Sequence, residues 1–469
     1  HTLETLRPLL KKLTLSCKIP NPVTDDSHTS IPIPTPAIQA TGPALTLVEL
    51  HNLFAHLADS TFTSNTLHHA QIGACLTSLR MSGWDMSSQA LTIASEIFLE
   101  KALPVKVPAL NREAFIKWNQ EKSSDEDDEQ GDGYAGSLDL VGTGGDGHDT
   151  FNVSTTAAIV AAGVPGVRVC KHGARASSST SGSADLLAAL DITLSNLTPS
   201  TLPLLLPNSP FTFLFAQLYH PTLAPLALIR RSLGFPTIFN VLGPLINPSR
   251  PKRCVMGVHS WGLGKTFAEA LRDGKCERAW VVCGREGLDE ISIEGESDVW
   301  ELNNSEIKHM VISPASFGLQ SHPLAHVKSG TSTQNATVAR YLFRPETYTQ
   351  QDGVPKGPLE SPLTFTTGTP STSYTIPAGV HLDALSDFVL LQTAALLYIG
   401  GRANSLKGAV HLAKKSLRLG GAQTALNVVR SEANRAGAML ERQQKEKEER
   451  ELRRIHNKDD LYYSKDLRK

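Results

Sequence analysis

The 469-residue chain contains no C-x-x-C pair and no excess of either charge, and its glycine loop at 142–147 is not followed by the G-K-[ST] of a P-loop. It also lacks any stretch approaching the roughly 18 uncharged apolar residues of a membrane span. Each absence excludes a class of protein. The six cysteines (17, 75, 170, 254, 276 and 283) are scattered, which excludes a disulfide frame or a zinc site and fits reduced thiols in the cytoplasm. A formal net charge of −1 leaves no electrostatic footprint for nucleic acid or an anionic membrane. No secretory signal opens the chain. It starts at His1 rather than Met, which leaves a missing or trimmed leading segment open. What remains is an ordinary globular composition, 40% hydrophobic and 19% charged, long enough for one large domain or two to three smaller ones.

The texture changes along the chain. Residues 1–120 carry helical apolar spacing, broken at Gly, Asn and Pro and by a Pro/Thr/Ser-rich loop at 20–43, and predict a small all-helical domain. Residues 121–136 are acidic and Gly-containing and read as a solvated linker. From 137 onward, short β-branched runs alternate with helical patterns. "LDLVG", "GVRVCKHG", "RCVMGVHS", "RAWVVCGREG" and "HMVIS" read as strands, and "STTAAIVAAG" and "LGKTFAEALRDG" as helices. This alternation predicts a larger α/β domain with a mostly parallel central sheet, over 137–197 and again over 234–433. Residues 198–233 read as a helical segment returning to the first domain. Residues 318–378 read as insertions around a few short strands, and 434–469 as a charged helical or disordered tail.

Four stretches could carry chemistry. In "LDLVGTGGDGHDTFNVST" (138–155), Gly142, Gly144 and Gly147 spell G-x-G-x-x-G. A dinucleotide fold wants an acid at the end of the next strand, and here Lys171 and His172 stand there instead. What remains is a glycine loop holding Asp146, followed by Thr150, Asn152, Ser154 and Thr155, a hydroxyl and amide row suited to a phosphorylated sugar. "CKHGARASSSTSGSADLL" (170–187) offers Lys171, His172, Arg175 and serine hydroxyls for pyrophosphate or a carboxylate. In "LIRRSLG", Arg230 and Arg231 are neighbours on one helix, so at most one faces a site, and "FNVLGPLINP" is a rigid Gly-Pro turn. In "GREGLDEIS" (284–292), Asp289 and Glu290 at a strand end are hard oxygen ligands for magnesium. Each stretch alone also reads as an ordinary turn, loop or cap.

Together these stretches closely resemble the anthranilate phosphoribosyltransferase family of tryptophan biosynthesis. The resemblance runs through G-T-G-G-D-G-x-x-T-x-N-x-S-T at 142–155, K-H-G-x-R-A-S at 171–177, G-S-A-D at 182–185 and F-L-F-A at 213–216. It continues in H-P at 220–221, R-x-x-L-G at 230–234, T-I-F-N-x-L-G-P-L-x-N-P at 237–248 and G-L-D-E at 287–290. "QIGACLTSLRMSG" (71–83) and "GGRANSLKGAV" (400–410) also look like the family. The acidic linker, the 318–378 insertions and the charged tail suggest a eukaryotic, fungal version.

The resemblance implies a cleft between a helical and an α/β domain. There a phosphoribosyl group passes from phosphoribosyl pyrophosphate (PRPP) to the amine of anthranilate, with magnesium as cofactor, in a homodimer joined through the helical domain. It implies that Gly142, Thr143, Gly144, Gly145 and Asp146 hold PRPP. Thr150, Asn152, Ser154, Thr155, Lys171 and Ser177 would bind its sugar and phosphates. Ser154 with Glu290, and Asp289 with Glu290, would hold magnesium. Gly142, His172, Gly173, Ala174 and Arg230 would line the anthranilate path, with Arg230 facing the carboxylate and His220 and Pro244 shaping the outer channel. Asp289, Glu290, Lys171 and Arg230 form the catalytic set. One departure stands out: the family has Asn after K-H-G, and this chain has Ala174.

Two other readings share parts of this pattern. A pyrimidine nucleoside phosphorylase resembles the family in fold but does not need the paired acids. A non-catalytic relative that binds phosphoribosyl compounds would tolerate Ala174.

Overall fold

The computed structural model describes residues 1–16, 18–19, 39–40, 45–108, 131–176, 179–349, 353–367 and 371–466. For 18–19, 39–40, 349, 452 and 454–466 it describes backbone alone. Most of the 121–136 linker and the "NREAFIKWNQ" helix expected at 111–120 lie outside the described residues.

The helical part is built from Leu3–Leu15, Leu47–Leu57, His69–Met81 and Ser88–Lys101. Thr46 and Glu49 form a capping box at the start of the second helix. Glu49 also takes a 2.6 Å bond from Lys12 of the first. Leu6, Leu13, Leu50, Leu53, Phe54 and Leu76 close its core.

The central sheet has seven strands: β1 Ser137–Gly142, β2 Arg168–Gly173, β3 Phe211–Phe215, β4 Arg253–Gly257, β5 Arg278–Gly284, β6 Ser297–Asn303 and β7 Glu306–Ile312. Their order is β3-β2-β1-β4-β5-β6-β7. The first five pair in parallel, and β6 and β7 add an antiparallel edge. The chain fills one side of β1 first and then the other, so the topological switch point lies between β1 and β4. Ligands of open α/β sheets gather there, beyond the strands' carboxyl ends.

Helices cover both faces. One face packs on Val153–Ala162 and Leu382–Ile399. The other packs on Trp261–Asp273, whose Leu263 and Phe267 join the core of the helical part. Although the sequence reading expects no stretch of membrane length, Leu382–Ile399 is long and apolar enough to cross a membrane by length and composition, and most of it is enclosed by protein. It is a core helix.

Three expectations change. The 198–233 segment is not wholly helical: "FTFLF" forms β3, since an aromatic and β-branched run pairs in register with Val169–Gly173. Its later part, Ala224–Leu233, does pack on His69–Met81, and so does Ile238–Leu242 beyond it. The 318–378 stretch is more than insertion. Its helix Ser332–Phe343 is buried along most of its length, although a hairpin of Leu363–Thr367 with Thr372–Ile376 does follow. The tail has no break at 434: Gly421–Asp466 is one helix whose Val429, Ala433 and Ala436 belong to the core.

Candidate active site

Gly142 of β1 and Gly257 of β4 are register partners at the switch point. The chain at residue 289 lies across both. A Cβ on Gly257 would fall 1.5 Å from the Asp289 carbonyl oxygen, and one on Gly142 would fall 2.2 Å from its Oδ2. Two bare strand ends therefore let the acid pair settle on the sheet edge. Beyond Gly142 the loop turns through Gly144, Gly145 and Gly147, all with φ between 70° and 79°. That turn aims the Gly144 N–H at Asp289 Oδ2, 2.5 Å away. Asp146 lies against the same carboxyl, and its Oδ1 accepts from the His148 N–H at 3.0 Å. Thr143 Oγ1 meets His259 Nδ1 at 3.1 Å.

Asp146, Asp289 and Glu290 thus crowd one small volume. Burial, then the Asp146 charge, pushes Asp289 up to about 7. Burial, then the Asp289 charge, raises Glu290 well above the usual carboxylate range. Such an excess of crowded negative charge is what a divalent cation relieves. Among the described residues no group of three or more His, Cys, Asp or Glu forms a ready-made metal cage. Magnesium suits this arrangement, since it commonly takes one or two carboxylates and completes its shell with substrate phosphates and water.

Lys171 departs from expectation. Its ammonium is not offered to the open loop but is enclosed, 1% exposed. It donates to the Leu140 carbonyl and, at 3.2 Å, to Ser154 Oγ. The pleat of β2 turns it under the helix Val153–Ala162 rather than outward. Burial lowers its pKa, while Asp139, Glu290 and Asp289 oppose that shift. Ser154 in turn bonds the Glu290 carboxyl. Asp139 is a participant the motifs did not flag. It is enclosed in β1, raised by burial to about 6, and takes a 2.7 Å bond from Asn247 of the Gly-Pro turn. Asn247 also donates to the Cys170 carbonyl at 2.8 Å. The available signal was a lone acid inside an apolar strand.

The row after the glycines is partly structural. Asn152 was expected on phosphate. Its Nδ2 instead donates to the Ser181 carbonyl at 2.6 Å, and its Oδ1 accepts from Asn335 at 2.8 Å. Thr155 is fully enclosed, with no hydrogen-bond partner for its hydroxyl. Thr150 bridges to Lys328 through its backbone. The causes differ: Thr155 lies in the first turn of a helix starting at Val153 and is turned to its buried side, whereas Asn152, just before that helix, is occupied by Ser181 and Asn335. Ser177 lies outside the described residues.

Of the anthranilate candidates, His172, His220 and the Gly-Pro turn come together. His172 Nδ1 sits 3.2 Å from the Gly243 carbonyl, and its ring meets that of His220 edge to face at 5.0 Å. Both rings are enclosed, and burial lowers them to about 3 and about 4. Pro244 is buried in the same turn. His220 and Pro244 therefore back the site rather than shape an outer channel. Of the neighbouring arginines, Arg231 is exposed and Arg230 half-buried. Arg230 lies over the Phe239 ring at 5.5 Å, with its Nη2 3.5 Å from Asn240 Oδ1. Gly173 abuts the Phe213 ring. Ala174 is exposed, and its loop is tied down by Asp185 of G-S-A-D. That carboxylate accepts from Arg175 at 3.0 Å and from the Ala176 N–H at 2.9 Å.

A parallel sheet with an acid-lined glycine loop at its switch point is an architecture suited to binding a phosphorylated substrate, and comparison with known families gives its class as glycosyl transferase. The family described as "Glycosyl transferase family, a/b domain" matches residues 135–354. The anthranilate phosphoribosyltransferase of Schizosaccharomyces pombe is 42% identical over 285 residues, 61% of this chain and 71% of that protein. That of Parvibaculum lavamentivorans is 35% identical over 372 residues, 79% and 90% of the two chains. The Saccharomyces cerevisiae enzyme, solved in complex with PRPP and Mg, superposes with a TM-score of 0.70 at 26% identity, over 92% of this chain and 99% of that one. The Thermus thermophilus enzyme gives 0.64 at 30% identity, over 84% and 97%. The chain belongs to the anthranilate phosphoribosyltransferase family. It is a transferase of tryptophan biosynthesis that moves the phosphoribosyl group of PRPP to the amine of anthranilate.

Proposed function

We propose that this transfer takes place at the β1–β4 switch point, with Asp289 and Glu290 holding magnesium together with Ser154. The observation that carries the proposal is the crowding of Asp146, Asp289 and Glu290 over Gly142 and Gly257, beside the buried cation Lys171. The glycine loop from Gly142 to Asp146 presents its backbone to PRPP. Magnesium, when bound, neutralises charge on the departing pyrophosphate. Lys171 acts one step back: its ammonium balances Glu290 and Asp139 and fixes Ser154. Arg230 faces the anthranilate carboxylate. His172, enclosed and neutral, walls the aromatic ring with His220 behind it.

Anthranilate's amine is neutral at pH 7, so its lone pair is ready to attack the ribose carbon without a general base. Positioning and electrostatics supply the rate. Pyrophosphate leaves from the opposite face as positive charge grows on the ribose, and the nitrogen, positively charged once the C–N bond has formed, sheds one proton to water.

Leu47, Val48, Leu67 and Leu228 are more than half exposed on the helical part, and they support a homodimer through that surface. The free thiols of Cys75, Cys170, Cys254, Cys276 and Cys283 support a reducing, cytoplasmic setting.

The deciding assay is loss of anthranilate fluorescence on adding PRPP and magnesium. Turnover is expected. None at high enzyme concentration would leave a phosphoribosyl-compound binder. Asp289→Ala with Glu290→Ala should abolish turnover at every magnesium concentration, and normal activity in that variant would sink the metal assignment.

A further inference from the structure

We propose that Gln392, in the middle of the core helix Leu382–Ile399, is a positioning residue for the Asp289–Glu290 pair. The inference rests on reading that pair as the magnesium-holding acids.

The segment between β5 and β6, residues 285–296, has no helix or strand of its own. Its peptide groups must still find partners. At Ile291, one residue beyond Glu290, both partners come from a single side chain. Gln392 Oε1 accepts from the Ile291 N–H at 3.3 Å, and Gln392 Nε2 donates to the Ile291 carbonyl at 2.7 Å. Both residues are 0% exposed. The side-chain amide thus does what a neighbouring strand would do. Around it on the helix stand Leu390, Leu391, Ala394 and Ala395, all buried. An amide in such surroundings is costly unless its polar atoms are matched, and Ile291 supplies the match.

The clamp sits where it can control the acids. Asp289 is held from the loop side by the Gly144 N–H and by the trough over Gly142 and Gly257. Ser292 N–H is held by Ser297 Oγ at 2.8 Å. Gln392 grips the peptide between these two points. The Glu290 side chain leaves the backbone immediately before the gripped residue, so a rotation of the 290–291 peptide moves its carboxyl directly. Residues that orient metal-holding groups typically change metal affinity or activity about 10–100-fold when removed.

Gln392→Met keeps the length and removes both bonds. Magnesium titrated calorimetrically into the PRPP-saturated protein should bind about tenfold more weakly or worse. The kcat should fall by a similar factor, and the KM for anthranilate should stay within about twofold. Thr393→Val is the control: its hydroxyl donates to the Val389 carbonyl on the same helix and, at 3.4 Å, to the Ala157 carbonyl of Val153–Ala162, with neither bond going to 288–293. It should lower the melting temperature without moving magnesium affinity. Should Gln392→Met fail to fold, Gln392→Asn keeps the amide but withdraws it by one methylene, and the same quantities are read. Unchanged magnesium affinity in the folded Gln392 variant, or an equal loss in Thr393→Val, overturns the proposal. Glu290→Gln separates the two levels. If it too leaves magnesium binding intact, the metal reading itself has failed. If it weakens binding while the Gln392 variant does not, only the role of Gln392 is lost.

Discussion

Gly142→Ala asks whether the first glycine of the loop is there for the acid rather than for the substrate. Its φ is not positive, so alanine meets no backbone strain. The added methyl would stand 2.2 Å from Asp289 Oδ2, where ordinary contact begins at 3.4 Å. The carboxyl must therefore retreat by about 1.2 Å. A displacement of roughly 1 Å in catalytic geometry costs on the order of 100-fold in rate, or about 2.7 kcal/mol of barrier. The cost to the fold is of similar size or smaller, because the carboxyl sits at the end of a short side chain and can swing, while the Asp289 carbonyl oxygen, 3.0 Å from the methyl, needs to give only slightly. The main loss is its bond to the Gly144 N–H, worth about 1.5–3 kcal/mol as a charge-assisted contact and partly returned as the crowded acid moves apart.

Gly142→Ala should thus lose about 100-fold in kcat by anthranilate fluorescence. It should need more magnesium for half-maximal rate and melt within a few degrees of the parent. PRPP binding measured calorimetrically in EDTA should be unchanged. Two results refute the reasoning. One is a kcat within threefold of the parent. The other is weakened PRPP binding in EDTA with an unaltered magnesium requirement, which would place the methyl against substrate rather than against Asp289.

Arg230→Ala should raise the KM for anthranilate about tenfold or more with little change in kcat, as loss of a charged partner for its carboxylate requires. An unchanged KM removes Arg230 from that role. Burial lowers His172 to about 3 and His220 to about 4 from an ordinary 6.5, so both stay neutral in the fold while the unfolded chain protonates them. Their contribution is fully present above pH 6.5 and is lost as pH falls toward 4. By pH 4.5 the pair costs up to about 5 kcal/mol at 1.36 kcal/mol per pH unit. Asp289 and Glu290, raised instead, act with the opposite sign, so the comparison must be between variants. His220→Phe should remove about half of the acid-side loss in urea unfolding at pH 7 and 4.5. A pH dependence parallel to the parent's would contradict it.

What the chain discloses depends on how local the determinant is. Strands β1, β2, β4 and β5 are legible because each is a β-branched run ended by glycine or charge. β6, "SDVWELN", is not, because its alternation with acids reads equally well as a loop. β3 hides in a Pro-punctuated stretch whose partner strand lies about forty residues back. Sheet order is invisible locally, since nothing in "LDLVG" says that β4 rather than β3 lies beside it. The site divides in the same way. Gly144, Gly145 and Gly147 announce themselves because positive φ is a property of single residues. Asp289 and Glu290 do not announce themselves alone, because adjacent acids after a strand read equally well as an ordinary turn; they become legible only through their order with the other motifs. The direction of Lys171 could not be read, because one residue of pleat decides whether an ammonium meets a ligand or a carboxylate. Nor could Gly257 or Gln392, whose meaning exists only once residues 289–291 are laid across them. A glycine with ordinary φ and a lone amide in an apolar helix look like defects locally. Both are explained by a chain segment that neither of them adjoins in sequence, and that is the kind of cause to look for when a strand or helix carries a residue its own periodicity does not need.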